Sequence, residues 1–197
     1  MQDPIQHYLT SMKQVCPEIK EEHLYDFAQA LYIKSFPSKT EIYGLHALHN
    51  TIGFVVEGLV RCYYFDPKGE EKTAWFIQED EFATDYPSFL SNTPSDYIFK
   101  TTEKTTLVFL PKEAIYAAYE QHNSIQKYGR LIAEHIIQQL QERLQPLLCL
   151  SAKERYLQFI HQNEPLLDRI SIKHMASLIG VERQSLTRIR KQLYNQK

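Results

Sequence analysis

The spacing of apolar residues changes twice along the chain, and each change marks a different kind of element. Across residues 1–31, Ile5, Tyr8, Leu9, Met12 and Val15 recur at helical intervals, as do Leu24, Phe27, Ala28 and Leu31. From Ile33 to about Leu110 the pattern shortens to strands. Ile52–Val56 and Leu59–Phe65 flank Glu57–Gly58, which reads as a tight hairpin turn. Asp66-Pro67-Lys68-Gly69, with Pro second and Gly fourth, is a turn that returns the chain into Thr73–Ile77. Tyr97–Thr101 and Thr106–Leu110 are further segments rich in β-branched and aromatic residues. Short strands with turns every eight to twelve residues or so predict a barrel or roll.

From Asn123 the period becomes helical again, at Ile125, Tyr128, Ile132, Ile136, Leu140 and Leu144, until Pro146 interrupts it. One continuous apolar stripe beside Gln138, Gln139, Gln141 and Gln145 has two uses, packing on the β-domain and pairing with a second copy. Both are expected, with a homodimer through the 123–145 helix. Ser151 followed by Glu154 forms a capping box for a helix over 152–162, which Pro165 closes. Ser171 then caps a further helix.

The last segment, IKHMASLIGVERQSLTRIRKQL (Ile172–Leu193), has the spacing of a helix-turn-helix. Ala176 permits close approach of a second helix, and Gly180 supplies the positive φ that the turn needs. Met175, Ile179, Val181, Leu186 and Ile189 would bury against one another, with the second helix over 181–193. Arg183, Gln184 and Arg188 are left pointing outward. These are the residue types that read base edges, since Arg bonds guanine bidentately and Gln does so to adenine. Seven Lys or Arg against Asp168 and Glu182 give residues 168–197 a net charge of +5, although the whole chain carries −2. Residues 1–167 therefore carry −7, and the basic end coincides with the helix pair, as binding to DNA phosphates requires.

Composition narrows the classes further. A chain of 197 residues, 43% of them hydrophobic, can bury one good core and a small second one. No run of apolar residues reaches about 18, and no basic-plus-apolar leader is present, so a cytoplasmic protein with no membrane partner is expected. Cys16, Cys62 and Cys149 are widely spaced and predict neither a disulfide framework nor a metal cluster.

The order of parts resembles the Crp/Fnr transcriptional regulators. FVVEGLVRCYYFDPKGEEKTAWFIQEDEF (Phe54–Phe82) is similar to the paired hairpins leading into that family's phosphate-binding cassette. AKERYLQFI (Ala152–Ile160) is similar to the helix before its DNA-binding pair, and GVERQSLTRIRKQL (Gly180–Leu193) to its recognition helix. The resemblance implies an α+β fold: an N-terminal jelly-roll-like β-roll sensor with flanking helices over 1–122, a long dimerisation helix and hinge over 123–148, and a small helix-turn-helix domain over 149–197. It further implies double-stranded DNA and RNA polymerase as partners. The family's Arg-Glu-x-x-x-Arg stands here as Arg183-Gln184-Ser185-Leu186-Thr187-Arg188, so Arg183, Gln184, Ser185, Thr187 and Arg188 are expected DNA contacts. The chain stops at Lys197, before the β-hairpin wing that relatives often carry. Phosphate anchoring would therefore fall to Lys173, Arg190, Lys191 and Lys197.

Departures from the family pattern bear on the effector. Cyclic-AMP-binding relatives carry Gly-Glu, whose Glu bonds the ribose, and then Arg-Ser, whose Arg pairs the cyclic phosphate. Here those pairs align with Thr84–Asp85 and Ser95–Asp96, and Leu140–Gln141 stands where such relatives place hydroxyls against the base. Losing the Arg removes the phosphate's main electrostatic partner, and Asp96 adds a like charge. Cyclic AMP is therefore not the expected effector, and no cofactor is expected. Tyr64, Phe76, Thr84, Asp85, Tyr86, Ser95, Tyr97 and Leu140 are candidates to line a pocket for a different, uncharged molecule, with Phe89 nearby. For the aromatics the plainer assignment is roll core.

Two other classes remain open to test. A cupin-like metal enzyme would need His46, His49 and Glu57, but its motif places two histidines one residue apart, and here Ala47 and Leu48 intervene. No catalytic set or metal site is expected. A β-roll that binds a ligand or partner without touching DNA is the other alternative, against which the exposed arginines weigh.

Overall fold

The computed structural model describes residues 3–194, with the side chain of Tyr194 left aside. Two short helices come first, α1 (Pro4–Val15) and α2 (Glu21–Ala28). Asp3 caps α1 by accepting from the Ile5 amide at 3.0 Å. Eight strands follow: β1 (Tyr32–Phe36), β2 (Glu41–Tyr43), β3 (Thr51–Glu57), β4 (Val60–Phe65), β5 (Glu71–Ile77), β6 (Phe82–Ala83), β7 (Ile98–Thr101) and β8 (Thr105–Pro111). Between β6 and β7 lies a short helix, α3 (Tyr86–Ser91). The chain then becomes helical, through α4 (Lys112–Gln121), α5 (Asn123–Cys149), α6 (Ala152–Gln162), α7 (Ile172–Leu178) and α8 (Arg183–Tyr194). The α+β class and the roll expected from the sequence are both present.

The strands form two four-stranded sheets, ordered β1-β8-β3-β6 and β2-β7-β4-β5. This arrangement corrects the expectation of a hairpin at Glu57–Gly58. β3 pairs with β8 and β6, whereas β4 lies in the other sheet, so Gly58 turns a corner between sheets. Its φ is +103°, and a Cβ there would meet the Lys104 carbonyl oxygen at 2.5 Å, so a side chain is excluded twice over. The second turn matches expectation: Asp66 accepts from the Gly69 amide at 2.8 Å, and its carboxylate from the amides of Lys68 and Glu70.

By packing, the chain divides into two units. One comprises the described residues up to Cys62 with Phe76–His135; the other comprises Tyr63–Trp75 with the described residues from Ile136 on. In the first, Tyr8, Met12, Ile19, Leu24 and Phe27 of the N-terminal segment share a core with Phe54, Val108 and Leu110 of the sheet. Ile115, Ile125 and Tyr128, from α4 and the start of α5, close the same cluster. Each side chain of this size contributes about 1.5–3 kcal/mol when fully buried, so the N-terminal helices are integral to the roll rather than an appendage.

The second unit holds the later part of α5, the helix pair and the outer part of the β4–β5 hairpin. Inside it, the Thr73 amide donates to Ser177 Oγ at 2.7 Å, and the Arg143 guanidinium lies 4.5 Å over the Trp75 ring. Pro146 does not end α5, contrary to the sequence expectation; the helix continues to Cys149. A proline removes its own amide from the ladder but keeps its carbonyl, and Pro146 O accepts from the Leu150 amide at 3.0 Å. α6 carries the predicted capping box, with Ser151 Oγ accepting from the Glu154 amide and Glu154 accepting from the Ser151 amide at 2.8 Å.

Candidate functional site

Three features hold the sequence-predicted chemistry, and the first is the helix pair. Ser171 Oγ accepts from the His174 amide at 3.2 Å and starts α7. At its other end Gly180 has φ +71°, with the Gly180 amide bonded to Ser177 O and the Val181 amide to Ala176 O. That pair of bonds is a Schellman turn, which stops α7 and redirects the chain. Arg155 secures the same corner, donating from Nε to Ile179 O at 2.8 Å and from a terminal nitrogen to Leu150 O at 2.7 Å. The second helix begins at Arg183 rather than at Val181, because Val181 and Glu182 form the turn and approach.

Met175, Ala176, Ile179, Leu186 and Ile189 are buried together with Tyr156, Leu166 and Ile170. Val181, grouped with them from the sequence, is only half-buried. Since Leu186 and Ile189 face inward, the opposite side of α8 is set outward. Gln184, Thr187, Arg188 and Lys191 are exposed there, Arg183 and Arg190 are exposed on its flanks, Ser185 is half-buried, and Lys173 is exposed on α7. Thr187 Oγ1 donates to Arg183 O at 3.0 Å, which leaves its lone pairs free to accept. Lys197 lies outside the described residues.

The second feature is the cassette in the roll. Asp85 occupies the N-cap position of α3, but its side chain does not cap the helix. Instead Asp85 Oδ2 accepts from Ser95 Oγ at 2.7 Å, and Ser95 Oγ in turn accepts from the Tyr97 amide at 3.0 Å. The Asp85 amide donates to His49 Nδ1 at 3.2 Å, and Thr84 Oγ1 lies 3.2 Å from the same nitrogen. Ser95 is further tied to the 46–47 loop, its carbonyl accepting from the His46 amide and its amide donating to Ala47 O.

Thus Thr84, Asp85, Ser95 and Tyr97 are brought together, with Tyr86 one residue on and stacked on Phe89 at 5.9 Å. Phe76 is buried in the same unit; Tyr64 and Leu140 belong to the other. The residue that ties the group together is His49, 1% exposed and stacked on Tyr43 at 4.2 Å. Burial lowers its pKa, while the charge of Asp85 acts in the opposite direction. Sequence reasoning named His49 only as a candidate metal ligand. A lone His in an apolar segment carries no local signal of its partners.

His46, the other histidine of the metal alternative, is exposed beside Asp96 at 3.6 Å. Among the described residues no three His, Cys, Asp or Glu side chains converge as a metal cage. No described helix is long and apolar enough to cross a membrane.

The third feature is the face of α5. Ile125 and Tyr128 are buried in the roll core, and Leu131 and Ile132 pack against it. Further along, Ile137, Leu140, Leu144 and Leu148 are 56%, 51%, 56% and 75% exposed. Their spacing of three and four residues makes one apolar seam on the helix surface.

Comparison with known proteins agrees with this architecture. Residues 33–122 match the cyclic nucleotide-binding domain family. No curated protein matches the sequence. Among solved structures, FixK2 from Bradyrhizobium japonicum aligns with a TM-score of 0.71 at 17% identity, over 84% of this chain and 85% of that one. The c-di-GMP-responsive global regulator CLP of Xanthomonas campestris aligns with a TM-score of 0.73 at 16% identity, over 90% and 93%. A protein assigned to the Crp/Fnr regulator family from Eubacterium rectale gives 0.71 at 13% identity, over 91% and 86%. Over residues 33–122 the chain is therefore similar to cyclic nucleotide-binding domains. The chain as a whole has the fold of the Crp/Fnr regulators.

Proposed function

We propose that this chain is a dimeric, sequence-specific DNA-binding transcriptional regulator, with α8 in the major groove and a sensor roll not controlled by cyclic AMP. One observation carries the DNA-binding part: Arg183, Gln184 and Arg188 are exposed on α8, whereas Leu186 and Ile189 are buried. Guanidinium and carboxamide groups fixed on a packed helix are donors and acceptors suited to base edges. Arg190, Lys191 and Lys173 supply phosphate contacts around them.

The exposed seam Ile137–Leu148 supports dimerisation through α5. A dimer would present two DNA-reading helices to two half-sites, which a single helix pair cannot do. A signal in the roll would then act by favouring one arrangement of the paired helices, provided it binds the two arrangements with different affinity. Bound at a promoter, such a dimer would act on RNA polymerase.

The Ser95–Asp85 bond supports independence from cyclic AMP. The position that carries the phosphate-pairing Arg in cyclic-AMP-binding relatives is here a serine that donates to a carboxylate. A cyclic phosphate brought to that carboxylate would meet like charge.

Selection of bound duplexes from a random pool, followed by a salt titration of the enriched sequence, tests the main proposal. An enriched palindromic site whose affinity falls steeply with salt supports it. Absence of duplex binding even at low ionic strength overturns it.

A further inference from the structure

His49 is a titratable group buried at the centre of the cassette, and its hydrogen bonds define its protonation state. The Asp85 amide can only donate, so Nδ1, at 3.2 Å, must be the acceptor. The proton of the neutral ring is therefore on Nε2, which is buried and has no hydrogen-bond partner. The ring is held between Tyr43 of β2, stacked at 4.2 Å, and Phe99 of β7, at 5.3 Å. The Tyr43 hydroxyl is engaged with Thr51, at 2.7 Å from Oγ1, and burial keeps the phenol neutral by raising its pKa. The one carboxylate facing the ring from the 84–85 segment is that of Asp85, already bonded to Ser95. On the neighbouring loops the exposed Asp96 is paired with His46.

We propose that His49 is a proton-operated catch on the sensor cassette. In the neutral state Nδ1 holds the Asp85 amide, and the Asp85 carboxylate is free to hold Ser95. A proton added at Nδ1 turns that nitrogen into a donor, which Thr84 Oγ1 can accept but the Asp85 amide cannot, so the Asp85 amide bond is lost. The imidazolium then competes with Ser95 for the Asp85 carboxylate, and the Ser95 bond to the Tyr97 amide loosens with it. The side-chain bonds that link two segments separated in sequence, 84–85 and 95–97, are thus loosened by one proton.

The sign follows from burial. Its lowered pKa means that the fold favours the neutral ring, so His49 contributes stability above the ordinary imidazole range of about 6.5. That contribution is lost as the pH falls through the lowered value. The buried, unmatched Nε2–H works in the same direction, since releasing the segment gives it access to water. The catch would serve the regulator proposed above as a pH input, but its chemistry does not depend on DNA binding.

The test is a proton–nitrogen NMR titration of the full chain between about pH 7.5 and 5, without DNA. At the upper limit His49 is expected as the Nε2–H tautomer. As the pH falls below the ordinary imidazole range it should protonate in step with shifts of the Thr84, Asp85, Ser95 and Tyr97 amides. His49→Asn keeps an acceptor near the Nδ1 position but cannot take up the proton, so these amide shifts should disappear while the neutral-pH spectrum is retained. Thermal melts at pH 7.5 and 5.5 should show a smaller acid-induced drop for His49→Asn than for the parent chain. An Nδ1–H tautomer, a His49 titration midpoint above about 6.5, or the same cassette shifts in His49→Asn would each overturn the proposal. A DNA-affinity comparison at the two pH values then reports separately on coupling: a pH effect in the parent and none in His49→Asn links the catch to regulation.

Discussion

Ser95 Oγ donates to Asp85 Oδ2 at 2.7 Å, so the two cassette positions that flank α3 are bonded to each other. Calorimetric titration with cyclic AMP is expected to give no binding in the micromolar range. Ser95→Ala should lower stability by about 1.5–3 kcal/mol, the range for a hydrogen bond to a charged group, measured as a shift in urea midpoint at constant slope. Micromolar binding of cyclic AMP would remove the argument from charge.

Gly180 sits at φ +71°, and a Cβ there would meet nothing nearer than 3.7 Å. Space is available, so the penalty for a side chain is conformational alone. Gly180→Ala is expected to destabilise by about 1–2 kcal/mol, and Gly180→Asn by less, because Asn tolerates the left-handed region. Equal melting temperatures for the two variants would mean that the turn relaxes.

Arg183→Ala and Arg188→Ala should each weaken specific DNA binding by about 1–3 kcal/mol if the contact is bidentate, without changing the melting temperature of exposed α8. Lys191→Ala should instead weaken all duplexes alike and lower the salt slope by about one. Gln184→Glu is expected to shift the preferred base at one position of each half-site, from adenine toward cytosine. An unchanged consensus after repeated selection would show that Gln184 does not read a base.

The seam on α5 predicts self-association. Leu140→Glu combined with Leu144→Glu places charges at two of its exposed apolar positions. Sedimentation should show the parent chain as a dimer and the double variant as a folded monomer. A parent chain that remains monomeric at high concentration would remove the dimer from the mechanism.

Much of the fold and of the proposed DNA-reading surface was legible in the sequence. The Ser151–Glu154 box, the Ser171 cap, the Gly180 turn and the outward Arg183, Gln184 and Arg188 depend on residues within one or two turns of each other. For such features side-chain chemistry and helical period are enough, so the sequence states them directly. The same holds for Asp66–Gly69, whose turn is closed by its own Asp66 carboxylate.

Other features depended on partners far along the chain. Glu57–Gly58 resembles a hairpin turn locally, yet it leads between sheets, because Gly58 lies against Lys104 and Thr105. The α5 stripe looks uniform in sequence, but only its first residues meet the roll core, leaving Leu140 and Leu144 outside it. His49 has no meaning as a letter; its role comes from Asp85, 36 positions later, and Asp85 owes its own to Ser95. Period and capping are properties of neighbours along the backbone, whereas burial and hydrogen-bond partners across the roll arise only when distant strands are brought together.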